Sequence, residues 1–213
     1  MFDSGISVKN LIEELKNTEV DIALAIPNAT YVEWLNTLQQ LVYTEVIKEQ
    51  KSCDITELST DNTVKMDDIP ISQGENTPRY EDIHAVYVTY TGYEHEKTVQ
   101  LIKSTFASGW IFPNTYFKNN NDLCYSTSFV PKKLTIVHFV KPALIKVDEK
   151  DVVDDSKVML PIEFIELAKS KLRGEAYKLA NEDSIAAKWL NDYNTLLETF
   201  KMWISEKSAN FGI

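Results

Sequence analysis

The chain has 213 residues, enough for a substantial hydrophobic core in one or two domains, and a formal charge of −10 from 32 acidic and 22 basic residues. This surplus of negative charge disfavours binding to DNA or to an anionic membrane surface. No apolar run reaches the roughly 18 to 20 residues of a membrane-spanning helix, and the charged start predicts no signal peptide. We therefore expect a protein made in the cytoplasm, without a membrane role.

The composition also argues against several kinds of chemistry. The chain has six glycines and no glycine-rich loop motif, so no phosphate-cradling site is predicted. Cys53 and Cys124 lie far apart, without a CxxC motif or a histidine pairing, and we interpret both as ordinary thiols. No cofactor and no metal site is expected.

Residues 1–51 predict two amphipathic helices. Ser7 is a suitable N-cap for a helix over residues 8–17, in which apolar side chains recur at helical spacing. Asn28 is predicted to cap a second helix over residues 29–50, with a nearly continuous apolar stripe on one face.

The helical pattern ends in an acidic segment, residues 52–82. It contains eight acidic and two basic residues, a net charge of −6, together with two prolines and a glycine. This composition predicts a long loop or arm with one or two short strands, for example near Cys53. A loop of this length is uncommon in a compact domain unless it is disordered or serves in an assembly.

A β-rich middle region is predicted over residues 83–145. Residues 83–92 are rich in β-branched and aromatic side chains, which favour a strand, whereas residues 96–106 are ambiguous between helix and strand. Residues 115–126 predict a hairpin, because two aromatic-bearing runs flank three asparagines and an aspartate that tolerate turn geometry. A further strand, residues 132–140, precedes a proline.

An acidic linker, residues 146–160, leads to a predicted helical hairpin in residues 161–213. Pro161 is suited to start its first helix, and Asn181 to Ser184 supply the turn. The order of elements predicts an α+β protein, with a helical bundle formed by the N- and C-terminal helices and a central β-rich insertion that contains the hairpin. The expected core anchors are Tyr31, Trp34, Phe164, Trp189, Tyr193 and Phe200.

Catalytic signatures are weak. Glu81, Asp82, His84 and His95 have side chains suited to acid–base or metal chemistry, but their spacing matches no ligand motif. His138 lies within a predicted strand and is interpreted as structural. We expect a protein that is not an enzyme.

Several stretches occur in a familiar order. They are the WLN starting at Trp34, the strand entry YEDIHAVYV, the hairpin YFKNNNDLCYS, the strand LTIVHFVKPALI and the final helix with WLNDYNTLLETFKMW. Over residues 20–204 this arrangement resembles the head-to-tail connector proteins of tailed bacteriophages, which are portal adaptors or head-completion proteins. The acidic segment 52–82 is longer than the family pattern requires.

The resemblance implies a structural virion protein of the phage neck, assembled in the host cytoplasm. Such a protein forms a ring, expected to be dodecameric, on the portal protein, and it contacts a downstream neck or tail protein. The genome passes through without specific binding, which suits acidic side chains. Aromatic and tail residues are the candidates for partner interfaces: Tyr116, Phe117, Tyr125, Asn210 and Phe211.

Three alternatives remain open. The first is another neck or tail-completion component, which we expect to be dominated by β-structure. The second is a soluble binding module that uses its exposed acidic segment to recruit a basic partner. The third is a hydrolase that uses Asp82 and His84.

Overall fold

Helices and strands both contribute to the fold, and the described part of the chain contains four α-helices and one seven-stranded sheet. The chain divides into two compact units. The helical unit comprises Met1–Ile47 and Leu144–Ile213, and the β unit is the intervening Lys48–Ala143. The computed structural model describes residues 2–18, 25–72, 74–92, 95–104 and 112–211, with the backbone alone for 208–211.

The helical unit draws its helices from both ends of the chain. The Ser7 hydroxyl accepts a hydrogen bond from the Asn10 amide at 3.1 Å, so the predicted N-cap of the first helix is confirmed. The helices are α1 (Val8–Thr18), α2 (Asn28–Leu41), α3 (Ile165–Leu179) and α4 (Asp183–Phe211).

The second predicted helix differs from the structure at both ends. Pro27, and not Asn28, occupies the N-cap position of α2. At its other end α2 gives way to a π-helix over Val42–Ile47, and Lys48 adopts a left-handed backbone with φ of 51°. Strand pairing begins at Gln50, and the strand partner satisfies the backbone groups of the residues that follow. The helix therefore ends earlier than the apolar stripe predicts.

The stretch predicted as an acidic linker, residues 146–160, is held along α2, and we call it the strap. Just before it, the Asn36 amide exchanges two hydrogen bonds with the backbone of Ile145, at 2.9 and 3.0 Å. The Gln39 side-chain oxygen accepts the Met159 amide at 2.6 Å. The helical core contains Ile145, Val153, Val158 and Leu160.

Asp151, in the strap, caps α2 from 123 residues away in sequence. Its carboxylate accepts the Asn28 and Ala29 amides, each at 2.8 Å, and its backbone oxygen accepts the Asn28 side-chain amide at 2.7 Å. A carboxylate at a helix N-terminus satisfies unpaired amides and interacts favourably with the helix dipole. Asp148 and Asp154 accept backbone amides of the strap itself. Part of the acidity of the strap therefore serves local structure.

Replacing Asp151 with alanine is expected to destabilise the helical unit by about 1–2 kcal/mol, the usual cost of losing a helix cap. The matched control is Asp155→Ala, because Asp155 is exposed, lies in the same strap and should change stability by less than about 0.5 kcal/mol. Urea unfolding followed by circular dichroism measures both variants. Equal stability of the two would show that the Asp151 contacts do not hold the strap.

The C-terminal helices α3 and α4 form the predicted hairpin. Asn181 turns the chain with a left-handed backbone, φ of 61°. Gly174 lies where the helices meet closely, because a Cβ atom there would lie 2.7 Å from Cδ2 of Leu190. Pro161 precedes a single 3-10 turn, and α3 itself begins only at Ile165.

The β unit is built on a sheet with strand order β1-β7-β3-β4-β5-β6-β2. All neighbouring strands are antiparallel except β4 and β5, which pair in parallel at their ends. The strands are β1 (Gln50–Ile55), β2 (Thr63–Val64), β3 (Ile83–Thr91), β4 (Glu96–Lys103), β5 (Thr115–Asn119), β6 (Asp122–Ser126) and β7 (Lys133–Phe139).

Several local predictions for the β unit are confirmed. The hairpin joins β5 to β6, and its turn places Asn120 in the left-handed region, φ of 56°. The stretch 96–106, for which the sequence predicted neither helix nor strand, forms a strand over Glu96–Lys103, and residues 105 and 106 lie outside the described residues. The acidic segment 52–82 contains the end of β1, all of β2 and two 3-10 turns, and its Met66 and Ile69 are buried in the core of the β unit.

The predicted core anchors lie mostly in the helical core. Tyr31, Phe164, Tyr193 and Phe200 are buried there, and Trp34 is partly buried against them. Trp189 requires correction: it is half-buried and lies outside this cluster. The guanidinium of Arg173 lies 4.7 Å from the centre of its ring, so Trp189 packs beneath a cation at the edge of the helical hairpin.

Candidate interaction surface

Two of the predicted interface residues are core residues instead. Tyr116 and Tyr125 are only 2% and 3% exposed. They lie directly opposite each other on β5 and β6, so both side chains lie on the same face of the sheet, and both belong to the core of the β unit. The prediction that they contact a partner is therefore wrong. Phe117, the next residue along β5, is half-buried.

Burial also sets the ionisation of these tyrosines. It raises the pKa of Tyr116 and of Tyr125, and it raises the pKa of Tyr80, whose ring centre lies 6.1 Å from that of Tyr116, to about 12. A tyrosine hydroxyl is protonated at neutral pH in any case, and burial extends that range to higher pH. The other two interface candidates, Asn210 and Phe211, end α4, and their side chains lie outside the described residues.

The four residues considered for catalysis are not brought together into one site. Asp82 is buried, forms an ion pair with Lys141 and accepts the Arg79 amide at 2.9 Å. Glu81 pairs instead with Lys118. The two histidines lie on the hairpin of β3 and β4: His84 is near the start of β3, and His95 comes just before β4.

Neither histidine joins the buried aspartate in a shared hydrogen bond. His84 is exposed and packs edge-on against Phe139, with ring centres 5.4 Å apart. No group of three or more His, Cys, Asp or Glu side chains suited to hold a metal occurs in the part of the chain that the structure describes.

A second buried carboxylate, Glu75, lies beside Lys51 and close to the buried His138. Burial raises its pKa, but hydrogen bonds from Lys51 and from the Ser72 amide outweigh burial, so the pKa of Glu75 lies below its usual value. Because the folded pKa is depressed, this carboxylate adds stability above its unfolded pKa of about 4.3 and loses that contribution as the pH falls through the folded value.

Four of the eight acidic residues of the acidic segment form ion pairs within the β unit. Asp54 pairs with Lys133 and accepts a hydrogen bond from Thr135, and Asp61 caps a turn through the Thr63 amide. Glu75, Glu81 and Asp82 also form ion pairs. Among the described residues, three exposed acids of this segment have neither an ion pair nor a side-chain hydrogen bond: Glu57, Asp67 and Asp68. We call these three the acidic edge.

Three exposed apolar side chains of the β unit lie on segments that are joined by hydrogen bonds. Ile102 is 70% exposed, Phe112 56% and Val130 87%. Asn114 ties their three segments together, because its backbone oxygen accepts the Ile102 amide at 2.9 Å and its side-chain oxygen accepts the Ser128 amide at 3.4 Å. We call Ile102, Phe112 and Val130 the apolar rim.

Sequence periodicity did not indicate this rim, because its residues lie at strand ends and in loops, where no repeating pattern exists. A different signal was present in the charges. Only one acidic residue, Asp122, occurs between residues 97 and 147 of this acidic chain. Exposed apolar patches bordered by polar residues commonly mark sites of protein contact.

The helical unit has a shallow groove beside α2 with a volume of about 530 Å³. It is open to solvent, and Glu33 is the one charged residue among those that line it. Its lining is Ala29, Val32, Glu33, Asn36, Thr37, Gln40 and Leu144. No helix in the described ranges is both long and apolar enough to cross a membrane.

Comparison with known protein families finds no family model that matches the chain, and comparison with curated proteins finds no significant match.

Proposed function

We propose that this protein is a structural, non-enzymatic component of a tailed-phage virion, a head-to-tail adaptor that forms a ring on the portal. The proposal begins from the resemblance of residues 20–204 to connector proteins. It includes the finer architecture expected of that group, a bundle of the N- and C-terminal helices that carries the β unit as an insertion. The helical bundle would form the body of each subunit.

The observation that carries the proposal is the length of α4. This helix has 29 residues, against 15 in α3, so it is about 43 Å long and extends well past its hairpin partner. Among the described side chains, the last that pack on the helical core are those of Trp203 and Ile204, and those of Ser205, Glu206 and Lys207 are exposed. The helix nevertheless continues to Phe211. An exposed end of α4 would supply a segment for docking on another protein without cost to the fold.

The charge of the chain supports the passage of DNA. A channel through which a genome slides must not bind phosphate strongly, and a net charge of −10 opposes such binding. The exposed members of the acidic edge are available for this purpose, whereas the paired carboxylates of the β unit serve its folding.

Deleting residues 208–213 is expected to leave the fold intact and to weaken docking on the portal ring at least tenfold. The deletion keeps Lys207, whose ammonium lies 3.9 Å from the centre of the Trp203 ring. Thermal unfolding and portal co-sedimentation measure the two effects separately. The matched control carries the same six residues in reverse order. Unchanged portal binding by the shortened chain would refute the docking role of the α4 end.

The second candidate is the soluble module with an acidic recruiting surface, and the acidic edge is the observation that favours it. Replacing Glu57, Asp67 and Asp68 together with glutamine, asparagine and asparagine separates the two functions. The adaptor proposal predicts retained portal docking by this variant. Loss of all partner binding, with a steep salt dependence in the parent, would favour the recruiting module.

A further inference from the structure

We infer that residues 2–7, which we call the arm, hold the end of α4 in place, and that Phe2 is the positioning residue of this contact. We call the contact between the arm and Trp203 the clasp. Its consequence for docking rests on the proposed function, which assigns docking to the end of α4. The arm, the strap, the π-helix and α4 all belong to the helical unit.

The arm follows a defined path along the strap. The two segments pair in the antiparallel sense at Ser7 and Lys157. The Val158 amide donates to the Ile6 backbone oxygen at 2.9 Å, and the Ser4 amide donates to the Val158 oxygen at 3.1 Å. The Ser4 hydroxyl donates to the same Val158 oxygen at 2.9 Å and accepts the Ile6 amide at 3.1 Å. These bonds fix where the arm presents Phe2.

Phe2 is held at both its backbone and its ring. Its amide donates to the Tyr43 hydroxyl oxygen at 2.9 Å, and Tyr43 is fully buried in the π-helix. The Phe2 ring is half-buried and lies 5.9 Å from the six-membered or five-membered indole plane of Trp203, measured between ring centres, at an interplanar angle of 50°. Tilted aromatic pairs at this separation attract each other beyond the area that they bury. The arm therefore connects the π-helix to α4.

Trp203 lies where α4 leaves the helical core. Its ring also contacts Phe164 and Phe200, with centres 5.3 and 6.0 Å away. The side chains of residues 205–207, which follow, are exposed. Phe2 adds a third ring to this cluster, and that ring comes from the arm. Its loss would leave the last turns of α4 with less to hold them.

Lys207 extends the effect of the clasp by one more turn. Its ammonium lies 3.9 Å from the centre of the Trp203 ring, and residues four apart are neighbours on a helix face. This contact requires a fixed orientation of the indole, to which Phe2 contributes. Helix ends fray unless they are tied down. A docking segment that is already helical loses less freedom when it binds.

Hydrogen exchange of backbone amides, followed by mass spectrometry on the full chain, tests the clasp without any partner. Phe2→Ala is expected to speed exchange in peptides that cover residues 204–211 by about fivefold, the effect of losing one aromatic pair at a helix end. Phe2→Tyr keeps the ring and should restore exchange to within about twofold of the parent. Unchanged exchange at residues 204–211 in Phe2→Ala would overturn the inference.

A control variant separates a local clasp from general destabilisation. Asp151→Ala weakens the same unit at the start of α2. We expect it to leave exchange at residues 204–211 within about twofold of the parent, because helix ends open locally without unfolding the whole unit. Equal acceleration in the Asp151 and Phe2 variants would overturn the inference, since the end of α4 would then follow the stability of the whole unit.

Docking on a portal ring connects the clasp to function. Phe2→Ala is expected to weaken docking by about the factor by which it speeds exchange, and Phe2→Tyr to restore it. Equal docking of the parent and Phe2→Ala, despite faster exchange, would overturn the positioning role of Phe2. If the parent itself does not dock, the adaptor proposal fails, and the exchange experiment still decides whether the clasp holds α4.

Discussion

Replacing Phe200 with alanine is expected to destabilise the helical unit by about 3–5 kcal/mol. Phe200 is fully buried, and its ring packs against Phe164, with centres 4.6 Å apart, and against Trp203, at 6.0 Å. The substitution opens a cavity where α4 meets the start of α3, and the neighbouring rings are too rigid to fill it. Urea unfolding measured by circular dichroism reports the loss.

The matched comparison for Phe200 is Trp189→Ala on the same helix. Trp189 is the larger side chain, and the sequence alone predicts a similar cost for its loss. Because it is half-buried and outside the helical core, we expect that its removal costs about 1–2 kcal/mol, mainly through lost packing under Arg173. If Trp189→Ala destabilised the protein as strongly as Phe200→Ala, the assignment of the core would be incorrect.

Replacing Asp82 with alanine is expected to destabilise the β unit by about 3–5 kcal/mol. Its buried carboxylate partners the mostly buried ammonium of Lys141 and the Arg79 amide. Removing the carboxylate leaves that cation and that donor uncompensated. Asp82→Asn should cost less, because the side chain still accepts the Arg79 amide.

The neighbouring residue supplies the control for Asp82. Glu81 also forms an ion pair, with Lys118, but both side chains are exposed, so Glu81→Ala should change stability by no more than about 1 kcal/mol. Thermal unfolding of the three variants compares a buried pair with an exposed pair one residue apart. A large loss in the Glu81 variant, or none in the Asp82 variants, would contradict this account of the acidic segment.

The sequence predicts those elements whose signals are local. The Ser7 cap, the asparagine turn of the β5–β6 hairpin and the helical hairpin depend on residues a few positions apart, and the structure contains all three. Local signals did not predict that the strap packs along α2. Its acidic composition is that of a solvated linker, and its role depends on Asp151 meeting an α2 terminus more than a hundred residues away.

The same limit explains the misplaced interface residues. Alternation along β5 and β6 shows that Tyr116 and Tyr125 share a face, but it does not show which face the core occupies when both carry aromatic residues. The partners that bury them, such as Met66 and Val86, come from elements with no local signal that they pack against the hairpin. Exposed residues of loops, such as Val130, carry no periodic signal at all.

The central claim is assembly on the portal, and mass photometry with negative-stain imaging tests it most directly. The purified chain is measured alone and then with the portal ring of a tailed phage. The adaptor proposal predicts a stacked ring on the portal, in which the mass added corresponds to about one copy of this chain for each portal subunit. A chain that leaves the portal ring unchanged in mass and shape at all concentrations would contradict it.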